Sequence, residues 1–345
     1  MNEIMKGRRR TKMTSDSNLI RESNLGKLKM WLFQKGAALK AEMAEGTSIS
    51  VVTINALVKE LVADRTILEA GQVQQKLGRP AIEYQFNYDK QHFCLLSMQE
   101  EANQLVIEAK MVNLQQEVKF AEKYDFSMPT MGNFQGIIKE LLAQPLAFDK
   151  IGLSFPGKIH QDVVTSSWYG KFDGWNFREL MQEVTEKPLI VQNDAHLMTI
   201  GYCLNHHVGR QETIVGIFYP KKSMPGITIF AGGHLVEGHL GLAGEAKFLP
   251  MMTGPNQPVQ NDAALAGNLA DIVALYNVII APHAFVLSSE SVDRQVIEQA
   301  IQADTYLKQH PNKPAFYFDQ SFQESVQSGL FWLVTQKTIF DPTNF

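Results

Sequence analysis

The stretch that most constrains the fold is SVVTINALVKELVAD, residues 50–64. Ile54, Leu57, Val58, Leu61 and Val62 recur at i, i+3, i+4, i+7 and i+8, one face of a 3.6-residue period, behind Ser48 or Ser50 as an N-cap. A helix with so defined an apolar face needs partners to cover it. Upstream, Leu25, Leu28 and Leu32 predict a first helix in SNLGKLKMWLFQKG that ends at Gly36, and LKAEMAE predicts a short second one that stops at Gly46. Downstream, TILEAGQVQQKLGRPAIEYQFN reads as a strand, a polar turn and a second strand with Ile82, Tyr84 and Phe86 on one face, a β-hairpin. Three helices followed by a two-stranded wing make an α+β winged helix-turn-helix, expected over residues 23–90.

Such a head reads DNA through the first turns of its third helix, where Ser50, Val51, Thr53 and Asn55 face away from the apolar stripe. The tip of the wing carries Lys76 and Arg79 just before Pro80, and an arginine on an extended backbone can enter a minor groove. Lys40, Ser50, Thr53, Asn55, Lys76 and Arg79 are therefore the expected contacts to double-stranded DNA. Val51 and Ala56 stand where basic residues would help, so phosphate anchoring falls to the N-terminal tail, the second helix and the wing. Charge is distributed accordingly. Residues 1–90 hold 15 Lys and Arg against 10 Asp and Glu, whereas the remainder holds 17 against 26. Residues 1–22, with KGRRRTK, read as a basic flexible arm or a solvated extension. Small three-helix modules with a hairpin also mediate protein contacts, and that is the alternative reading of the head.

At 345 residues the chain exceeds what one core usually serves, so at least two compact units are expected. FDKIGLSFPGKIHQDVV reads as a strand, a Pro156-Gly157 turn and another strand; PLIVQND is a strand that runs at once into a helix. Strands alternating with helices give an α/β body. LADIVALYNVIIAPHAFVL is broken by Asp271, Asn277, Pro282 and His283, so it reads as a buried helix, a turn and a strand, not a membrane span. Cys94 and Cys203 are far apart and form no metal-binding spacing, which argues against disulfides and structural zinc and fits a reducing cytoplasm. The basic start has no apolar run behind it and is no signal peptide. His196, His206, His207, His234 and His239 show no coherent ligand spacing. In SSWYGKFDGWNF, Trp168 or Trp175 could stack on a sugar face or simply pack.

The head, its exit GRPAIEYQFN, and the later IGLSFPGKI, GWNFREL, VQNDA and GHLGLAGE follow one another in an order that resembles the ROK family, which joins sugar-dependent transcriptional repressors and sugar kinases. The resemblance runs from about Ser23 onward. It implies that residues 91–345 form an actin-like, ribonuclease H-like body of the sugar kinase and hexokinase type. Lobe one is expected over about 91–195 plus a C-terminal helix and lobe two over about 196–325, with sugar and nucleotide meeting in the cleft. It also implies roles. Asp194 matches the carboxylate that accepts the hydroxyl proton in phosphoryl transfer, and Asn193 and Glu245 match positions that hydrogen-bond sugar hydroxyls.

The chain departs from the family pattern at three places. The first phosphate loop, an Asp-x-Gly-x-Thr type, is replaced by LLSMQEEANQLVI, with no glycine and with Glu100 and Glu101 added; acidic side chains there repel phosphate. The second, a Gly-Thr-Gly-x-Gly type, is replaced by YPKKSMPG, where two prolines remove backbone donors, although Lys221 and Lys222 could attract an anion. After Glu245, Lys247 and Phe248 take the places of a glycine and a zinc- and sugar-contacting histidine, and no cysteine follows. No metal and no cofactor are expected. Asp194 then either holds a ligand or caps the helix after it, and the joint presence of Asn193, Asp194 and Glu245 favours ligand holding. The expected protein is a cytoplasmic transcriptional regulator of the repressor class that binds an operator as a homodimer or higher homo-oligomer, senses a carbohydrate effector and has no membrane partner. An active sugar kinase with a divergent nucleotide loop, and a ligand-free dimerisation or docking regulator, are the alternatives.

Overall fold

The computed structural model describes residues 2–74, 80–160, 163–167, 170–221, 223–249, 252 and 261–344, with residues 2–17 described as backbone only. The chain divides into two compact units. One is built from residues 2–92, 113–117 and 337–344, the other from 93–112 and 118–336.

The first unit contains α1 (Asn2–Lys35), β1 (Ala37–Leu39), α2 (Lys40–Thr47), α3 (Val51–Ala63), β2 (Ile67–Val73) and β3 (Ala81–Phe86). Ser50 caps α3 by accepting the Thr53 N–H at 3.2 Å, while Ser48 takes a left-handed conformation (φ 55°) that closes α2. Ile54, Leu57, Val58 and Leu61 are buried together with Leu28, Leu32 and Met43, so the apolar stripes of the three helices close on one another. β2 and β3 pair antiparallel as the wing, and β1 adds a third strand on the far side of β3. Three residues are too few to show a period, which is why β1 leaves no sequence signal. Tyr84 and Phe86 are buried, but Ile82 is exposed.

Besides β1, two findings differ from the sequence-based expectation for this unit. α1 runs back to Asn2 instead of beginning near Leu25, and no proline interrupts residues 2–35. The unit also recruits two distant segments. The Phe340 ring lies 5.1 Å from Phe33 and 6.0 Å from Phe86, and the Leu114 N–H donates to the Tyr88 carbonyl at 3.1 Å.

The second unit carries two five-stranded sheets. The first is formed by β4 (His92–Glu101), β5 (Gln104–Asn113), β6 (Val118–Asp125), β7 (Lys150–Phe155) and β10 (Leu189–Asn193), in the order β10-β7-β4-β5-β6. Between them lie α4 (Met131–Leu142), the small hairpin β8 (Gly157–His160) and β9 (Val163–Ser167), and α5 (Phe177–Gln182). After α6 (Asp194–Asn205) the second sheet follows: β11 (Thr213–Tyr219), β12 (Gly226–Ala231), β13 (His234–Leu235), β14 (Ala284–Ser289) and β15 (Ala315–Phe318), in the order β13-β12-β11-β14-β15. α7 (Asp262–Ile280), α8 (Arg294–Ala303) and α9 (Thr305–Gln309) belong to this half, and α10 (Phe322–Thr335) completes the unit.

The two sheets share one topology. In each, the first strand sits at the centre, its meander partners lie on one side, and two parallel strands are added on the other. Each sheet has its own core, one centred on Leu96, Ile107, Phe134, Leu153 and Phe177, the other on Ile217, Leu269, Val273, Phe285 and Leu287. This duplicated ribonuclease H-like unit defines the actin-like, two-lobed body. α7 is long and apolar enough to cross a membrane by length and composition, with a mean hydropathy of 1.7, and its Leu265, Leu269, Ile272 and Val273 are buried in the second core. Ala281 closes it in a left-handed conformation before β14, the helix, turn and strand read in the sequence.

Candidate functional site

In open sheets with parallel strands, ligands bind beyond the carboxyl ends of the strands. Here those ends converge from both sheets of the second unit. Ser97–Glu100 at the end of β4, Ser154 on β7, Asn193 ending β10, Phe218 on β11 and Glu290 after β14 all line one cleft of about 690 Å³.

PLIVQNDAHL places the critical pair at the junction of β10 and α6. Asn193 is the N-cap: its side-chain oxygen accepts the Ala195 N–H at 3.0 Å and its amide donates to the Gly157 carbonyl at 2.9 Å. With the cap position filled, Asp194 is the first helical residue. Its carboxylate also accepts the Ala195 N–H, at 2.8 Å, and lines the cleft. Burial pushes the Asp194 carboxyl up to about 7; the Ala195 N–H opposes that rise and the negative charge of Glu290 adds to it. The approach is tight. A Cβ on Gly226, the first residue of β12, would meet the Ala195 Cβ at 2.5 Å, so a glycine is needed for the strand to pass the helix start.

Glu245 reaches the same place from the other sheet. Its backbone bridges that of Gly226, and its carboxylate pairs with the Lys158 ammonium. Glu245 is thus engaged beside the cleft, while Lys158 and Lys247 line it. Burial and the nearby positive charge of Lys247 push Lys158 down to about 8. The sequence reading did not assign Lys158 a role; the available signal was a lysine directly after the Pro156-Gly157 turn, within IGLSFPGKI. A carboxyl that titrates near neutrality and a partly desolvated amine, both on a concave wall, suit a ligand carrying hydroxyl groups.

At the first divergent loop, β4 and β5 join in a hairpin whose turn residues Ala102 and Asn103 hold φ of 49° and 64°. Glu100 lines the cleft. Glu101 instead pairs with Lys123 at 2.7 Å, and that hydrogen bond holds its carboxyl below the usual range. At the second, the segment between β11 and β12 carries Pro220 and Pro225, and the Lys221 N–H donates to Glu290 at 2.8 Å; Lys222 lies outside the described residues. Among the described residues, no group of three His, Cys, Asp or Glu side chains is arranged to hold a metal ion. His196 is kept neutral because burial pushes it down to about 4, with Nδ1 3.0 Å from the Gln192 side-chain oxygen. Trp175 is buried, its ring 4.9 Å from Phe172 and 6.0 Å from Phe177, and so packs in the core instead of stacking on a ligand; Trp168 lies outside the described residues.

In the head, Ser50 and Asn55 are exposed at the start of α3, with Thr53 partly so. The Ser50 and Thr53 hydroxyls lie 2.9 Å apart and bond to each other. Lys40 places its ammonium 5.3 Å from the Tyr84 ring centroid. Lys76 and Arg79 lie outside the described residues, so their expected role stays an expectation.

A winged-helix head joined to an actin-like body of the sugar-kinase type is the fold of ROK regulators, and the chain has that fold. The solved structure of a ROK family transcriptional regulator, a homologue of the E. coli MLC protein, is similar over 94% of this chain and 98% of its own, with a TM-score of 0.64 and 16% identity. A ROK family protein from Streptococcus pneumoniae, solved with sucrose, matches 71% of this chain and 99% of its own at 12% identity, with a TM-score of 0.57. A ROK family glucokinase from Streptomyces griseus, solved with glucose and AMPPNP, matches 69% of this chain and 97% of its own at 13% identity, with a TM-score of 0.53. No family model and no curated protein matches the sequence.

Proposed function

We propose that the chain is a cytoplasmic DNA-binding regulator of the ROK type, a repressor of carbohydrate genes whose kinase-like body senses a sugar or related metabolite without phosphorylating it. One observation carries this reading. The likeness to the regulator spans head and body together, 94% of the chain, whereas the likeness to the glucokinase spans 69%. The cleft supports the sensing half. Asn193 and Asp194 line it and Lys158 reaches Glu245 beside it. The loops that would cradle nucleotide phosphates are instead a glycine-free hairpin and a segment bounded by prolines.

In this reading the regulator acts as a homodimer or higher homo-oligomer on a two-fold site, as symmetric helix-turn-helix proteins do. Closure of the body on its effector changes the presentation of the heads; a coupling of about 1–3 kcal/mol suffices for an on/off response. Enrichment of duplex fragments from the source genome by the full-length chain tests it, with ATP consumption over a panel of hexoses as the counter-assay. Recovery of a two-fold sequence with no ATP turnover is the expected result. ATP turnover with any hexose would restore the kinase reading, and enrichment of no sequence would leave the head as a protein-contact module.

A further inference from the structure

The first turn of α3 turns two aliphatic side chains outward where a DNA-reading helix is usually polar. Val51 and Val52 are the first two residues of the helix, 55% and 82% exposed. Asn55 and Ala56 follow one turn later and Lys59 one turn after that, all exposed and on the side opposite Ile54, Leu57, Val58 and Leu61. The two hydroxyls expected among the base contacts also bond to the helix start. Ser50 accepts the Thr53 N–H at 3.2 Å, and the two side-chain oxygens bond to each other at 2.9 Å. Beside them, Val51, Val52, Asn55 and Ala56 are the exposed side chains of the first two turns.

Among the base edges of the major groove, only one group rewards an aliphatic side chain, the C5-methyl of thymine, and only adenine offers an amide its matched donor and acceptor. A helix whose first two turns carry aliphatic groups around one carboxamide is therefore complementary to an A·T-containing step. Guanine would call for an arginine or lysine there, and residues 51–57, the first two turns, hold neither. Resting on the regulator reading above, we propose that Val51 and Val52 recognise thymine methyl groups in duplex DNA and that Asn55 reads the adjacent adenine, so that the first turns of α3 set operator specificity by methyl packing.

Replacement of thymine by deoxyuridine removes the methyl and nothing else. The full-length protein is used to select its preferred duplex from a random pool, and that duplex is resynthesised with deoxyuridine at one thymine at a time. One or two positions are expected to weaken binding by about three- to five-fold each, the effect of losing one buried methyl. In Val52→Ala or Val51→Ala, that sensitivity is expected to shrink at one of those positions while binding to unrelated duplex is unchanged. Both side chains are exposed, so the variants keep their fold. Uniform indifference to deoxyuridine, or a sensitivity that both variants retain in full, would overturn the proposal while leaving DNA binding intact. Selection of no duplex at all would overturn the regulator reading and this inference together.

Discussion

Asp194→Asn is expected to raise the melting temperature of the unliganded protein at pH 8 and at the same time abolish the shift that a bound metabolite produces. The Asp194 carboxyl has an ordinary value of 3.8 and is pushed up to about 7 in the folded chain, chiefly by burial. Between those values the folded state holds a proton that the unfolded state has released. Stability therefore falls as pH rises from about 4 to about 7, and the full cost is present above 7. Asparagine stays neutral, keeps an oxygen for the Ala195 N–H and removes that cost, on the order of 2–4 kcal/mol, which corresponds to several degrees of melting temperature. The gain should shrink as pH falls towards 5. A carboxylate that destabilises its own fold and is nonetheless present fits a ligand-holding group, because stability is commonly lower at functional sites. Thermal scans from pH 5 to pH 8, with and without a metabolite that stabilises the parent protein, measure both effects. A variant less stable at every pH, or one that keeps the full metabolite shift, contradicts the assignment.

Gly201→Ala is expected to destabilise the body severely, by about 3 kcal/mol or more, with a fall in melting temperature of about 6–12 °C. α6 and α10 cross at glycines on both sides. A Cβ on Gly201 would lie 2.6 Å from the Ser325 carbonyl carbon and 2.8 Å from the Gly329 nitrogen; one on Gly329 would lie 2.7 Å from the Leu197 carbonyl carbon. Every one of these neighbours is backbone, so no rotamer change relieves the clash. The two helices must move apart, and α6 carries Asp194 at its start, so any folded fraction of the variant should also bind metabolite more weakly. Denaturant unfolding of Gly201→Ala beside Gly136→Ala, a helical glycine with nothing within 4 Å of its added carbon, isolates the crossing from helix propensity. Equal stability of the two variants would show that α6 and α10 do not pack this closely.

Much of this was legible because periodicity and capping are local. The stripe from Ile54 to Leu61, the cap Ser50, the wing strand ending at Phe86, and the passage from β10 into α6 at Asn193 follow from spacing and residue type alone. What the sequence hid was non-local. β1 is three residues whose strand identity comes from pairing with β3, and Phe340 joins the head core from the far end of the chain. The continuation of α1 to Asn2 was hidden because a polar, basic run gives no amphipathic signal. In and beside the cleft, the sequence named Asn193, Asp194 and Glu245 but not Lys158. An ion pair between residues 158 and 245 depends on two sheets meeting, which no single segment encodes. Trp175 failed as a stacking platform for the same reason, since its neighbours Phe172 and Phe177 turn it into the core.

In the proposed regulator, one chain couples metabolite binding in the body to DNA binding in the head. The most direct test is the affinity of the full-length protein for its selected duplex, measured with and without the metabolite that raises its melting temperature, and the metabolite affinity with and without the duplex. Linkage requires the two ratios to be equal, and a regulator should show about 5- to 150-fold in each. Equal affinities in the presence and absence of metabolite would contradict the account, because head and body would then be two independent binding modules.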